Sequence, residues 1–127
     1  MEWSPLPLLV FRVDVQDERL RGKLNKAKIA VYNAVLAELA TGALEIQSEA
    51  REIVPVDMGT LRRSIITNEV EDGFEIGTNL EYANYIEFGE PQGTGPNGGP
   101  KPYLRPAFEN NKNKIVRRVQ AIIRKLL

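Results

Sequence analysis

Apolar and polar positions alternate over residues 8–15, with Leu9, Phe11, Val13 and Val15 on one side and Arg12 and Asp14 opposite. That period of two predicts a half-buried strand. The spacing then changes. Leu20, Leu24, Ala27, Val31, Val35, Leu39, Ala43, Ile46, Ala50 and Ile53 recur every three or four residues, which predicts a helix over 18–53 with Asp17 placed to cap it. Unbroken, it runs roughly 55 Å at 1.5 Å per residue. Either one helix projects past a sheet, which is the favoured reading, or two helices meet near Thr41 and Gly42.

Pro55 ends this periodicity, because it lacks an amide hydrogen and restricts the residue before it. A short helix follows, with Leu61 and Ile65 as its apolar face and Asp57 or Thr60 as candidate caps. Residues 66–79 then predict a hairpin turning at Asp72-Gly73, a dipeptide suited to positive φ. The segment 80–89 reads as a short helix or turn stopped by Gly89. Residues 90–102 are Gly- and Pro-rich and predict a flexible loop. Residues 106–127 predict an amphipathic terminal helix, with Phe108, Ile115, Val119, Ile122, Ile123 and Leu126 opposite a basic face. The expected fold is α+β, one domain over 1–127. An antiparallel sheet of three to four strands packs on one long helix, with short helices and the terminal helix around it.

Composition narrows the chemistry. The 127 residues contain no cysteine and no histidine, which removes disulfides, thiolate sites, the commonest metal ligand and every Ser-His or Cys-His arrangement. No catalytic residue, cofactor site or metal site is assigned, and the expectation is a protein that is not an enzyme. The apolar start, residues 6–11, has no basic residue before it and is interrupted by Pro5 and Pro7, unlike a signal peptide. No stretch reads as the ~20 apolar residues that cross a bilayer, so no membrane role and synthesis in a cytoplasm are expected.

Net charge is zero, yet its distribution is lopsided. Residues 66–90 hold seven acids and no base, whereas Lys101, Arg105, Lys112, Lys114, Arg117, Arg118, Arg124 and Lys125 face only Glu109 in the tail. A basic helix invites a nucleic-acid reading, but zero net charge, the acidic hairpin and the lack of a groove-reading or base-stacking module make direct binding the minor alternative. Gly93 to Gly98 matches a dinucleotide pattern without the strand and helix it needs. Glu81 with Glu87, or Glu71 with Asp72, read as a hydrated acidic face rather than an acid-base pair.

Four ordered motifs carry a resemblance. They are Val54 to Ile65 with Asp57, Gly59, Leu61, Arg62 and Arg63; Glu75 to Thr78; Tyr82 to Gly89; and Lys101 to Ala107. Together they resemble the siphophage and prophage family of neck and minor tail proteins, with Met58 standing where relatives often have Thr. The resemblance implies a non-catalytic virion part of the head-tail junction or upper tail, made in the host cytoplasm. Its expected partners are further copies in a hexamer-like ring and other neck and tail proteins.

Within that frame, Tyr82, Tyr85, Phe88, Tyr103 and Leu104 are expected to form an apolar cluster. Asp57, Gly59 and Leu61 set a turn, Gly89 ends a helix, and Pro106 opens one. Arg62, Arg63, Glu87 and Arg105 are expected at the interface. The acidic hairpin side, Glu69, Glu71, Asp72, Glu75, Glu81 and Glu87, is expected to meet the basic helix, either of the same chain or of a neighbour.

Overall fold

A computed structural model describes residues 2–4, 9–14, 29–89 and 100–126, the first two segments as backbone only. In chain order the elements are β1 (Glu2–Ser4), β2 (Leu9–Asp14), α1 (Ile29–Ile53), α2 (Gly59–Ser64), β3 (Ile66–Val70), β4 (Gly73–Thr78), α3 (Ala83–Phe88) and α4 (Leu104–Leu126). The chain is α+β, as its periodicities predict.

The long helix is continuous through Gly42 over 29–53. Its expected start, residues 18–28, lies outside the described residues, as do residues 90–99 of the expected loop. Val31, Val35, Leu39, Ala43, Ile46 and Ala50 are all buried and form the stripe that joins α1 to the rest of the core. Each such side chain contributes up to about 1.5–3 kcal/mol of burial for the larger types. The hairpin β3 and β4 lies against this helix. It is a two-stranded antiparallel unit with the register Ile66 to Gly77 through Val70 to Gly73.

Sequence periodicity anticipates three to four strands; the strands with described side chains are the two of this hairpin. The backbones of β2 and β1 pair antiparallel beyond β4, in the order β1-β2-β4-β3. β1 was not anticipated at all.

Turn chemistry differs from expectation. The turn consists of Glu71 and Asp72, and Asp72 takes the positive φ of 58° while Gly73 has none. Asp tolerates the left-handed region, and Tyr32 on α1 donates its hydroxyl to Asp72 Oδ1. Neither Asp57 nor Thr60 caps α2: its cap position is Met58, with no side-chain hydrogen bond. Gly89 does stop α3, at φ 85°.

The terminal helix begins two residues earlier than expected, at Leu104. Pro106 sits in its first turn, where the missing amide costs nothing. α4 runs antiparallel to α1, because Asn110 and Asn111 bond to Glu49 while Arg118 meets Glu45 and Glu38. At Gly42 the helices come so close that an added Cβ would lie 2.7 Å from Ile115 Cγ1 and Cδ1.

One expectation about membranes changes. An 18-residue window of α1 has a mean hydropathy of 1.4, so the helix is long and apolar enough by length and composition to span a bilayer. Here its apolar stripe is core, and Glu38, Glu45 and Glu49 reach across to α4.

Candidate interaction surface

The motif Val54 to Ile65 folds as a tie between α1 and the hairpin. Met58 N donates to Pro55 O at 2.9 Å, closing the turn that Pro55 starts. Leu61 is wholly buried. Half-buried Arg62 donates Nη2 to Val54 O at 3.0 Å, satisfying a carbonyl at the end of α1. Its Nε is buried with no hydrogen-bond partner among the described residues. Arg51, not singled out by the sequence, donates Nε and Nη2 to Ile65 O at 3.1 and 2.6 Å. Asp57 and Arg63 are exposed, and the Arg63 guanidinium lies against half-buried Gly59. A shallow cleft of about 540 Å³ opens between Gln47, Ser48, Arg51, Glu52 and Arg62.

The expected aromatic cluster divides. Tyr103 and Leu104 are fully buried, whereas Tyr82, Tyr85 and Phe88 are 40, 48 and 52% exposed. Spacing explains it: α3 turns Ala83, Ile86 and Glu87 toward the core, so positions 82, 85 and 88 fall on the outer side. Burial raises the Tyr103 hydroxyl above its ordinary value, with the Glu87 and Tyr82 charges adding to the shift.

Glu87 is not an interface residue. It is 3% exposed and accepts the backbone N–H groups of Tyr103 at 3.1 Å, Leu104 at 2.8 Å and Arg105 at 3.2 Å. These are amides that the first turn of α4 leaves without helical partners, and the positive end of that helix favours a carboxylate there. Glu87 therefore ties α3 to the start of α4. The Arg105 side chain is exposed, and Lys101 N donates to Ile86 O at 2.8 Å beside it.

The basic face of α4 meets α1, not the hairpin. Arg118 binds Glu45 through its guanidinium and lies in ion-pair contact with Glu38, without the alignment of a hydrogen bond. Lys114 pairs with Glu45, and Lys112 with Glu109 at 2.9 Å. The Arg118 hydrogen bond is the chief reason that the Glu45 carboxyl titrates below its ordinary 4.5. Arg117, Arg124 and Lys125 remain exposed, as do Glu69, Glu71 and Glu81 on the hairpin side. Glu38, Glu45 and Arg51 carried no sequence signal of their own, since their partners lie 14 to 80 positions away.

Residues 18–89, more than half of the chain, match the family model described as "Bacteriophage HK97-gp10, putative tail-component". The chain belongs to this HK97-gp10-like family. It is a phage tail-related component, and its place is in the virion. No curated protein and no solved structure matches it. The HK97-gp10-like match takes in α1, α2, the hairpin and α3, and ends at Gly89. The α4 helix, which supplies exposed Arg105, Arg117, Arg124 and Lys125, lies beyond it.

Proposed function

We propose that this tail component is a non-catalytic structural subunit of the head-tail junction or upper tail. Copies made in the host cytoplasm close into a ring and dock on neck and tail proteins. The observation that carries this reading is the division of charge. The inner basic residues of α4 are used by α1 within the chain, while Arg117, Arg124 and Lys125 on one side and Glu69, Glu71 and Glu81 on the other stay exposed. A ring needs two different surfaces on each copy that fit one another. Opposite charge on them sets register and speeds encounter. The acidic side of one copy then faces the outer basic side of the next, and its own Lys114 and Arg118 take no part.

Particles lacking this protein provide the test. Added wild-type protein is expected to restore joining, and Arg117→Glu with Arg124→Glu to abolish it at physiological salt while the fold is kept. A charge-reversed protein that completes particles as well as wild type rules out the charge contact. Wild-type protein that never restores joining removes the structural reading.

A further inference from the structure

Among the described residues β3 pairs on one side only, with β4. Because Val70 and Gly73 close a two-residue turn, the N–H and C=O groups of Ile66, Asn68 and Val70 face β4. Those of Thr67 and Glu69 point to the open edge. Ile66 beside them is 48% exposed. An open, partly apolar edge is a template for another strand.

The two ends of this edge differ in sign. At the Ile65 end Arg51 holds the Ile65 carbonyl, Thr67 Oγ1 donates to Gln47 Oε1 at 2.8 Å, and both Arg51 and Gln47 line the cleft that Ser48, Glu52 and Arg62 complete, two arginines against one acid. At the Val70 end the turn presents exposed Glu69 and Glu71. A surface that is basic at one end and acidic at the other complements itself after a half-turn.

We infer that the β3 edge pairs antiparallel with the β3 edge of a second copy about a two-fold axis at Asn68. The five-residue strand overlaps completely only in that register. Thr67 then lies opposite the second copy's Glu69, so both sets of open backbone groups are satisfied together. Ile65 lies opposite the second copy's Glu71, which brings that carboxylate to the Arg51 guanidinium at the cleft. Arginine and carboxylate in such a place form directional paired hydrogen bonds. The contact is isologous, unlike the head-to-tail ring contact, and does not depend on it. Both draw on Glu71, so a copy engaged in one is unavailable for the other: the two-fold pair is the free form and the ring the docked form.

The chain has no cysteine, which makes the test direct. Across the axis, Asn68 meets its own counterpart in a pair without mutual hydrogen bonds, where Cα atoms stand about 4.5 Å apart. That is within disulfide reach. The full-length Asn68→Cys protein, held dilute in a glutathione redox buffer, is expected to become mostly disulfide-linked dimer on a non-reducing gel. Ala37→Cys, on an exposed position of α1, is expected to stay monomeric. If Asn68→Cys is no more dimeric than Ala37→Cys, the pairing is wrong. By sedimentation equilibrium, Glu71→Arg is expected to weaken the dimer about tenfold or more, and Arg51→Glu added to it to restore most of the loss. A folded double variant that stays as weak as Glu71→Arg excludes the Arg51 contact, and if Arg51→Glu prevents folding the cysteine comparison still decides. The cysteine comparison changes no residue of the ring contact, so failure of the pair and failure of the ring read out separately there, whereas Glu71→Arg alters both.

Discussion

Glu87 gathers the Tyr103, Leu104 and Arg105 amides from a segment that sequence places 16 to 18 positions away. In the sequence it is one acid in an acidic run, and the dull expectation for such a run is hydration. Nothing in its own neighbourhood marks it as the residue that α3 turns inward, beyond its spacing of four from Ala83. Removing the carboxylate leaves buried N–H groups without acceptors, each worth about 1–3 kcal/mol. Loss of a helix cap alone costs ~1 kcal/mol. Glu87→Ala is therefore expected to lower stability by about 2–4 kcal/mol in urea unfolding, and Glu87→Gln by less, because the amide oxygen still accepts. Equal stability of wild type and Glu87→Ala is the outcome that contradicts the capping role. Tyr82, Tyr85 and Phe88 failed the opposite way: aromatic content reads as core, yet a six-residue helix has one inner side and Ala83 with Glu87 occupies it.

Two long helices set the scale of the next level, and their periodicity was readable because an apolar stripe every three or four positions is a local signal. Their mutual contact was not readable, since antiparallel packing depends on Gly42 and Ile115, 73 positions apart. Gly42→Ala gains ~1 kcal/mol of helix propensity but forces the new Cβ against fully buried Ile115. Overpacking of that kind costs about 1–3 kcal/mol. The expected result is a net loss, with Gly42→Ala and Ile115→Val together closer to wild type in the same unfolding assay. An unchanged or raised midpoint for Gly42→Ala would mean that α4 yields easily. The same interface carries a pH dependence. Arg118 lowers the folded-state pKa of Glu45 below 4.5, so the unfolded chain takes up the proton first. The pair's contribution is complete above about pH 5 and is lost as pH falls below 4.5 through the folded value. Its size is on the order of 1 kcal/mol, because both side chains are partly exposed. Glu45→Gln is expected to flatten that part of the stability-pH curve, and an unaltered curve would assign the acid loss to other groups.

Across the whole molecule, the elements that repeat a period or carry turn residues were legible: the helix through 29–53, the hairpin, the Gly89 stop and the terminal helix. Relations between distant segments were not, and charge pairing is the clearest case. The sequence shows an acidic middle and a basic end, which invites their union, yet Lys114 and Arg118 meet acids of α1 instead. That outcome also weighs on whether the basic helix binds DNA. Affinity for a phosphate backbone follows the number of phosphates neutralised, with log K falling by about 0.9 per contact for each unit of log salt. Of the eight basic residues from Lys101 onward, Lys112, Lys114 and Arg118 are already paired. That leaves Arg117, Arg124 and Lys125 on the outer side and exposed Lys101 and Arg105 at the start of the helix, and even all five together support a slope of only roughly −4 to −5, too shallow for firm retention at physiological salt. Filter binding to duplex DNA is therefore expected to fade between about 50 and 150 mM salt, and Arg117→Glu with Arg124→Glu to remove what remains. A steeper slope, or retention that survives both reversals, would turn the basic helix from a protein-docking surface into a nucleic-acid one.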